Sequence, residues 1–358
     1  MNYRSSEILA SESIATAGTK TIDINLKDVI SRISLQVKLT GTGTDPTAHP
    51  AKAVSKIEIV DGSNVVFSMK GVAAQALDFY DTSREPGNAL AYHNDVQAIA
   101  VFNLNFGRRL YDDKLALDPA KFNNLQLKIS HNLALGGQAP DAATLSVRAD
   151  VFDEKAPSLL GYLCSKEHYS VPDLSSDVNY IDLPTDFILR KMLIQGNADN
   201  KMPFEQFNQV RLSEEHDKKV VMEGYTSDFI KLFAMQWPVY HELLMGYALT
   251  STNNFFVTPT YWPYYAVMSD DALGYTMTAN FAGGQAQDIR GSTAGVFRGV
   301  VRGYCPHGAV PFPFGLQDDL SDWYDVTRLG SLRLKLTQGS SVSGSESIDI
   351  ITQQLRTY

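Results

Sequence analysis

Histidine, cysteine and carboxylate side chains supply most metal ligands and most acid–base catalysts, and in this chain they are scattered. The histidines are His49, His93, His131, His168, His216, His241 and His307. No two of them lie within about twenty residues of each other, so none forms a sequence-local ligand pair. Cys305 and His307 flank Pro306, but no second Cys/His pair completes a zinc set, and we interpret this segment as a loop. The sequence therefore predicts no metal ligand, no cofactor-binding residue and no cofactor.

Motifs for catalysis are also missing. No Gly-x-x-x-x-Gly-Lys-Ser/Thr phosphate loop and no Gly-x-Ser-x-Gly nucleophile elbow occurs. Three acidic doublets, Asp112-Asp113, Asp270-Asp271 and Asp318-Asp319, could bind calcium if they lie in loops, although solvated loop charge is the simpler interpretation. We predict that the chain has no catalytic residue and is not an enzyme.

Composition indicates a globular protein with room for two domains. The chain has 358 residues, of which 44% are hydrophobic and 20% charged. Its formal charge of -9 argues against binding to nucleic acid, which requires clustered Lys and Arg. Two cysteines, Cys164 and Cys305, are too few for a disulfide framework, and they predict buried thiols.

One strand pattern occurs twice along the chain. The hairpin from Ile57 to Gly71, with its Asp61-Gly62 turn, matches the segment from Val210 to Gly224 at a spacing of 153. The alternating run from Leu125 to Ile129 matches the run from Leu332 to Leu336 at a spacing of 207. Such a repeat indicates two fused copies of one unit. We predict about eight strands in each copy, including runs near Leu77–Tyr80 and Phe229–Phe233.

The repeat predicts the domain boundaries. Residues 1–19 precede the first matched strand and are predicted to be an N-terminal arm, in which Ile8, Leu9 and Ile14 line a short amphipathic helix. Residues 20–155 form the first copy, 156–177 the crossover between copies, and 178–358 the second copy.

The second copy carries a long insertion at about 234–311, because the spacing grows from 153 to 207 across it. Loops of this length usually have a task. Its aromatic residues are Trp237, Tyr240, Phe255, Phe256, Tyr261, Trp262, Tyr264 and Tyr265, and its glycine-rich stretches lie at Gly283-Gly284 and Gly291. These rings could stack on sugars or bases, but packing within the insertion or against a neighbouring subunit is the favoured interpretation.

Two tandem eight-stranded units resemble a double jelly roll, an all-β fold of two antiparallel sandwiches. The chain resembles the major capsid proteins of tailless icosahedral bacteriophages such as tectiviruses and corticoviruses and, more distantly, the adenovirus hexon. The resemblance covers about residues 20–358. It rests on Ile22-Asp23-Ile24 and Ile181-Asp182-Leu183 as first strands, on the Ile57–Met69 hairpin, and on the two late strands at Leu125 and Leu332.

The resemblance implies a homotrimer that forms a pseudo-hexagonal capsomer and builds an icosahedral virion shell. The implied partners are other copies of the chain in the trimer and in neighbouring capsomers, minor capsid or vertex proteins, and an internal membrane reached through the N-terminal arm. It implies no sequence-specific binding of nucleic acid. The implied location is the virion, after synthesis in the host cytoplasm.

A two-domain jelly-roll enzyme or glycan-binding protein remains the alternative. A tandem cupin would need a His-x-His pair on one strand, because alternate residues share a face, and the sequence has none. A viral spike is a third possibility, but no coiled-coil stem or low-complexity shaft is present.

Overall fold

The computed structural model describes residues 1–42, 46–93, 96–173, 177–248, 253–269, 286–289, 295–340 and 346–358. Side chains are described throughout these ranges except at 248, 263–269 and 286–289. Strands dominate. They form two rolls, one separate four-stranded sheet that is built mostly from the insertion, and one two-stranded sheet within the insertion.

The first roll consists of eight strands that pair as two four-stranded antiparallel sheets, with orders β1-β9-β3-β7 and β2-β8-β4-β5. The strands up to residue 152, of which β6 belongs to the separate sheet, are β1 (Tyr3–Ile14), β2 (Ala17–Asp23), β3 (Ile30–Gly41), β4 (Val54–Asp61), β5 (Asn64–Met69), β6 (Leu90–Tyr92), β7 (Gln97–Asn105), β8 (Leu125–Asn132) and β9 (Pro140–Phe152). Alternate side chains such as Leu127 and Leu145 point inward from facing sheets, so the apolar core lies between them.

The second roll repeats this arrangement, with sheet order β11-β21-β13-β14 facing β10-β22-β12-β20. The remaining strands in the described residues are β10 (Gly161–Pro172), β11 (Val178–Leu183), β12 (Leu189–Gly196), β13 (Phe207–Glu214), β14 (Lys219–Tyr225), β15 (Tyr240–Ala248), β16 (Asn253–Phe256), β17 (Pro259–Ser269), β18 (Ala286–Ile289), β19 (Gly295–Pro306), β20 (Ala309–Pro313), β21 (Leu332–Gln338) and β22 (Ser347–Thr357). The predicted pair of eight-stranded sandwiches is confirmed.

In the ranges that the structure describes, three helices connect the strands: α1 (Gly71–Thr82), α2 (Pro203–Gln206) and α3 (Thr226–Leu232). Short 3-10 turns lie at Pro50–Ala53, Pro119–Lys121, Leu133–Leu135 and Ala234–Gln236. Among the residues described, no helix is long and apolar enough to cross a membrane.

The repeat found in the sequence marks equivalent strands. β4 and β13 begin and end 153 residues apart, and β8 and β21 begin 207 residues apart. In chain order the equivalent pairs are β1 and β10, β2 and β11, β3 and β12, β4 and β13, β5 and β14, β7 and β20, β8 and β21, and β9 and β22.

The predicted N-terminal arm is wrong, because residues 3–14 form β1 and pair with β9 along the edge of the first roll. No amphipathic helix forms there. Ile8, Leu9 and Ile14 pack against the first core. Two register irregularities, between Glu7 and Leu9 and between Leu9 and Glu12, break the alternation that would have marked the strand in the sequence.

The predicted crossover at 156–177 is also wrong for most of its length, since β10 occupies residues 161–172 and is the first strand of the second roll. Ile22-Asp23-Ile24 and Ile181-Asp182-Leu183 therefore lie at the second strands, β2 and β11, and not at the first. β10 contains a register irregularity between Glu167 and Tyr169, which hid its periodicity.

Two predicted strands are helices. Leu77–Tyr80 lies in α1 and most of Phe229–Phe233 lies in α3. Both segments read apolar-polar-apolar over a few residues, which is too short to distinguish a strand from a buried helix. α1 contains three alanines near its start, and alanine strongly favours helix. This preference outweighs the local alternation. Phe297–Arg302 lies in β19 of the separate four-stranded sheet, whereas β20 is the strand of the second roll that is equivalent to β7.

Candidate functional site

The two rolls are joined by strand pairing. β5 of the first roll runs parallel to β10 of the second, with Phe67 opposite Ser165 and Ser68 opposite Lys166. This contact merges one sheet from each roll into a single eight-stranded sheet, β2-β8-β4-β5-β10-β22-β12-β20. Because backbone hydrogen bonds fix the register of paired strands, the rolls cannot slide along each other.

The rolls also share apolar packing. β12 is buried along its whole length. Met192 and Ile194 face the core of the second roll, whereas Leu193 between them packs into the core of the first. Ile351 on β22 joins Leu193 there, as does Ala309 on β20. A sheet that is buried on both faces makes the joint part of the protein interior.

A buried charge cluster crosses this joint. Asp81, near the end of α1, accepts hydrogen bonds from Arg190 at 2.6 Å and Lys191 at 2.7 Å, both on β12. Gln353 on β22 donates to the other carboxylate oxygen at 2.8 Å. The charged side chains are only 1–2% exposed. Ions removed from water in this way are stable only when they are paired and hydrogen-bonded, as these are.

Opposing effects set the ionisation of this cluster. Burial acts to raise the pKa of Asp81, but Lys191 and Arg190 outweigh it and hold that pKa below its usual value. Burial lowers the pKa of Lys191 to about 8, although Asp81 counteracts the shift. At neutral pH Asp81 is therefore a carboxylate and Lys191 remains mostly protonated.

The insertion forms a sheet of order β17-β19-β15-β6, in which β6 comes from the first roll. On its outer face Leu243 pairs with Val300, and the two side chains are 70% and 40% exposed. Arg298 and Arg302 flank them on β19. Beside β6, a groove of about 290 Å³ is lined by Leu90, Ala91, Val96, Leu243, Leu244 and Met245 together with polar neighbours. An apolar surface with basic neighbours is suited to contact with another protein.

A buried polar network anchors the insertion. Glu242 on β15 accepts hydrogen bonds from both the backbone N–H and the hydroxyl of Thr258, each at 2.6 Å. The Thr258 hydroxyl also lies 3.0 Å from Nε2 of His49 in the first roll. His307 packs edge-on against His49, and its Nε2 lies 2.8 Å from Oε1 of Gln75 on α1. The insertion and the first roll therefore meet in one network.

Burial sets the ionisation of this network too. Burial raises the pKa of Glu242 to about 7, although the hydrogen bonds from Thr258 act to lower it. Burial lowers the pKa of His307 to about 3, and it lowers that of His49 with a further contribution from His307. Both imidazoles are therefore neutral around neutral pH.

The structure separates the residues singled out in the sequence. Cys164 and Cys305 are buried free thiols, as predicted. Burial raises the pKa of the Cys305 thiol well above its usual value. In the described ranges no three His, Cys, Asp or Glu side chains are grouped to hold a metal ion.

Two of the acidic doublets have local partners, and the third, Asp270-Asp271, lies outside the described residues. Asp112 is buried and bonds Arg108 through both carboxylate oxygens. Arg108 in turn donates to the carbonyl oxygen of Asp318 at 2.6 Å. Asp319 accepts from the hydroxyl and the N–H of Ser321. These acids stabilise loops, and the first of them also links the two rolls.

The aromatic residues of the insertion mostly pack inward, as the favoured interpretation proposed. Phe255 is fully buried and meets Tyr92 and Phe297 edge-on. Trp237 donates its indole N–H to the carbonyl oxygen of Tyr80 at 2.9 Å. Trp262 is the exception, with 54% of its side chain exposed. The side chains of Tyr264 and Tyr265, and residues Gly283-Gly284 and Gly291, lie outside what the structure describes.

Sequence reasoning missed the charge cluster at Asp81. A signal was present, since Arg190 and Lys191 interrupt the apolar run from Ile188 to Ile194. Adjacent strand residues face opposite sides, so at least one of these charges had to point into a core.

No protein-family model and no curated protein sequence matches the chain. Solved structures do match. The STIV MCP is similar over 100% of this chain and 98% of its own, with a TM-score of 0.61 and 11% identity. The major capsid protein P2 from bacteriophage PM2 is similar over 99% and 98%, with a TM-score of 0.57 and 11% identity.

The PBCV-1 virus capsid is similar over 99% of this chain and 93% of its own, with a TM-score of 0.52 and 11% identity. Likenesses at this level of identity concern the fold. They span both rolls, the joint between them and the insertion, and they confirm the resemblance predicted from the sequence. The chain has the double jelly-roll fold of the major capsid proteins of icosahedral viruses.

Proposed function

We propose that this chain is a major capsid protein that trimerises into pseudo-hexagonal capsomers and builds an icosahedral virion shell. The observation that carries the proposal is the full-length match to capsid proteins across both rolls, with 98% of the STIV and PM2 chains covered. A shell subunit needs rigid, repeated surfaces and no catalytic residue. The buried joint between the rolls supplies that rigidity.

The partners of the proposed subunit are other copies of this chain and minor capsid or vertex proteins. Part of the insertion contributes to the trimer contact, and the outer face around Leu243 and Val300 supports this role because it is apolar and exposed. Contact with an internal membrane through residues 1–19 loses its basis, since these residues lie mostly in β1 and β2. The proposed location is the virion shell after synthesis in the host cytoplasm. The likeness to the capsid protein of bacteriophage PM2 supports the proposal that the virus is a bacteriophage.

Light scattering on the purified chain, followed by electron microscopy of its assemblies, tests the proposal. We expect a mass three times that of the 39.5 kDa chain, and hexagonal particles in projection. A mass that stays at one chain over a wide concentration range, with no assemblies under any tested condition, would refute it.

A variant pair tests the part played by the insertion. Leu243→Glu places a charge on the outer face of the insertion sheet, whereas Val178→Glu places one on β11 of the second roll, where the side chain is 40% exposed. We expect the first variant to shift the equilibrium toward single chains and the second to leave it unchanged. Equal behaviour of the two variants would remove the insertion from the trimer contact.

A further inference from the structure

The two strands that meet at the joint inside the chain, β5 and β10, each have an equivalent strand in the other roll. Among the described residues, neither equivalent strand has a partner on the corresponding edge. β5 lies between β4 and β10, but its equivalent β14 lies at the end of its sheet. β10 lies between β5 and β22, but its equivalent β1 also lies at the end of its sheet. In the part of the chain that the structure describes, β14 and β1 therefore each carry one open edge, and these edges correspond to the two that meet at the joint.

The hairpin registers identify the equivalent residues on β14. In the first roll Ile59 lies opposite Phe67, and in the second roll its equivalent Leu212 lies opposite Met222. Phe67 and Ser68, which meet β10, therefore correspond to Met222 and Glu223. This spacing of 155 corrects the 153 that the sequence indicated for this strand, because the second hairpin has the longer turn.

The registers of the first strands identify the equivalent residues on β1. Ser165 lies opposite Gln353 on β22, and Ser5 lies opposite Asp150 on the equivalent strand β9. Each strand then continues for two more pairs before a register irregularity, after Glu167 in β10 and after Glu7 in β1. Ser165 and Lys166 therefore correspond to Ser5 and Ser6.

Residues at the joint inside the chain are more buried than their equivalents on the open edges, as expected if a joint is occupied in one place and open in the other. Ser165 is fully buried, whereas Ser5 is exposed. Phe67 is buried, whereas Met222 is only half-buried. Leu77 on α1 is 4% exposed, whereas Leu232, which holds the same place on α3, is 57% exposed. The second roll thus presents, uncovered, the surface that the first roll buries against its neighbour.

We propose that β14 of one chain lies parallel to β1 of the next chain, with Met222 opposite Ser5 and Glu223 opposite Ser6. The partner is a second copy of this chain, so the inference rests on the proposed function and names its contact. The contact joins two different surfaces and therefore repeats head to tail, and it closes into a ring with three chains. Each strand added to an open edge gains main-chain hydrogen bonds, and side-chain contacts set the register.

Disulfide trapping tests this joint. The double variant Ser6→Cys/Glu223→Cys places two thiols at one predicted pair, where neighbouring strands bring Cα atoms within disulfide range. Upon oxidation we expect a covalent species of three chains on a non-reducing gel. Separately purified Ser6→Cys and Glu223→Cys chains should give covalent dimers only after mixing. Background from Cys164 and Cys305 is low because both are buried.

Two controls make the result decisive. Ser68→Cys/Lys166→Cys lies at the joint inside the chain and should lose its thiols without a change of mass. Ser6→Cys/Tyr180→Cys uses an exposed residue on β11, at the other end of the same sheet as β14, and should give no covalent trimer.

The outcomes separate the joint from the proposed function. Trimers by light scattering without a covalent product, while the internal control is oxidised, would overturn the joint and leave the capsid function standing. An equal yield of covalent trimer from the Tyr180→Cys control would also overturn it. Single chains at every concentration would remove both, because no neighbour would then exist.

Discussion

The strand and helix that follow the first hairpin, β5 and α1, are buried, whereas their equivalents in the second roll, β14 and α3, are partly open. Leu77 and Leu232 hold the same place in the two helices but differ from 4% to 57% in exposure. The difference does not arise from the unit itself, which has the same order of strand and helix in both rolls. It arises because β10, β12, β20 and β22 cover the first unit and no described part of the chain covers the second in the same way.

A repeated unit can therefore retain an apolar surface even where no other part of its own chain covers that surface. An exposed leucine alone needs no explanation, but one whose counterpart is buried in an internal interface indicates a binding surface. Substitutions at equivalent positions of the two rolls test whether the exposed surface of β14 and α3 binds another chain.

The two cores should be equally intolerant of charge. Leu127 on β8 and Leu334 on β21 are equivalent and both 0% exposed. Aspartate at either position would bury an unpaired carboxylate at a cost of several kcal/mol, which approaches a total domain stability of about 5–15 kcal/mol. We expect both variants to lose soluble expression. A normal yield and melting temperature for either would show that its strand face is assigned wrongly.

The helices should differ sharply. Leu77→Glu buries a charge and should leave little soluble folded protein, for the same reason as the core variants. Leu232→Glu should fold with a melting temperature within about 2 °C of the parent chain, because exposed substitutions change stability little, but it should weaken self-association. Circular dichroism and light scattering measure the two effects. Unfolding of Leu232→Glu would mean that α3 is covered within its own chain.

Removing the carboxylate from each of two equivalent charge pairs should also destabilise the fold to different extents, but this difference should be smaller than that between the helices. Lys191 on β12 is buried with Asp81, whereas its equivalent Arg32 on β3 pairs with Asp150 at 2.8 Å nearer the surface. Asp81→Asn leaves Arg190 and Lys191 without their carboxylate and should destabilise the fold by about 3–5 kcal/mol. Asp150→Asn should cost about 1 kcal/mol or less. Denaturant unfolding of both variants gives the comparison, and similar losses would contradict it.

The smallest effect concerns the insertion, which has no counterpart in the first roll. Folded Glu242 has a pKa of about 7, above its usual 4.5, so its contribution to stability is present below pH 4.5 and is lost as pH rises through 7. Glu242→Gln removes this loss. Relative to the variant, the parent chain should therefore lose up to about 1.4 kcal/mol per pH unit between about pH 4.5 and 7, and the difference should level off above pH 7.

The buried histidines of the same network have the opposite effect on how stability depends on pH. Folded His307 has a pKa of about 3, so its contribution is present above pH 6.5 and is lost as pH falls below that value. Melting curves of the parent chain and Glu242→Gln from pH 5 to 9 separate the contributions of Glu242 and His307, because both proteins contain His307 and only the parent chain contains Glu242. A constant difference between the two proteins over pH 5–7 would contradict the raised pKa of Glu242.

The fold was predictable from the sequence where strands alternate without interruption. The spacing of 153 located β4 and β13, and the spacing of 207 located β8 and β21, because each of these strands buries one face. β1 and β10 were missed because register irregularities break their period of two. α1 and α3 were mistaken for strands because their apolar runs are short.

The assembly surfaces were harder to predict than the fold. The insertion was found from the change in spacing, and its aromatic residues proved to be mostly internal packing. The joint at β5 and β10 depends on two residue pairs that are nearly 100 positions apart, for which a single sequence offers no local signal. The partner of Asp81 lies equally far along the chain, so only the unusual pair Arg190-Lys191 within an apolar strand pointed to it.

The packing of Leu193, Ala309 and Ile351 into the first core bears on how the protein is made. The ribosome has produced every strand of the first roll once residue 152 has emerged, yet these three side chains still have to be synthesised. A growing chain at that stage exposes α1 and the edge of β5, and such surfaces promote aggregation and recruit chaperones. Completion of the first roll thus waits for the synthesis of β22.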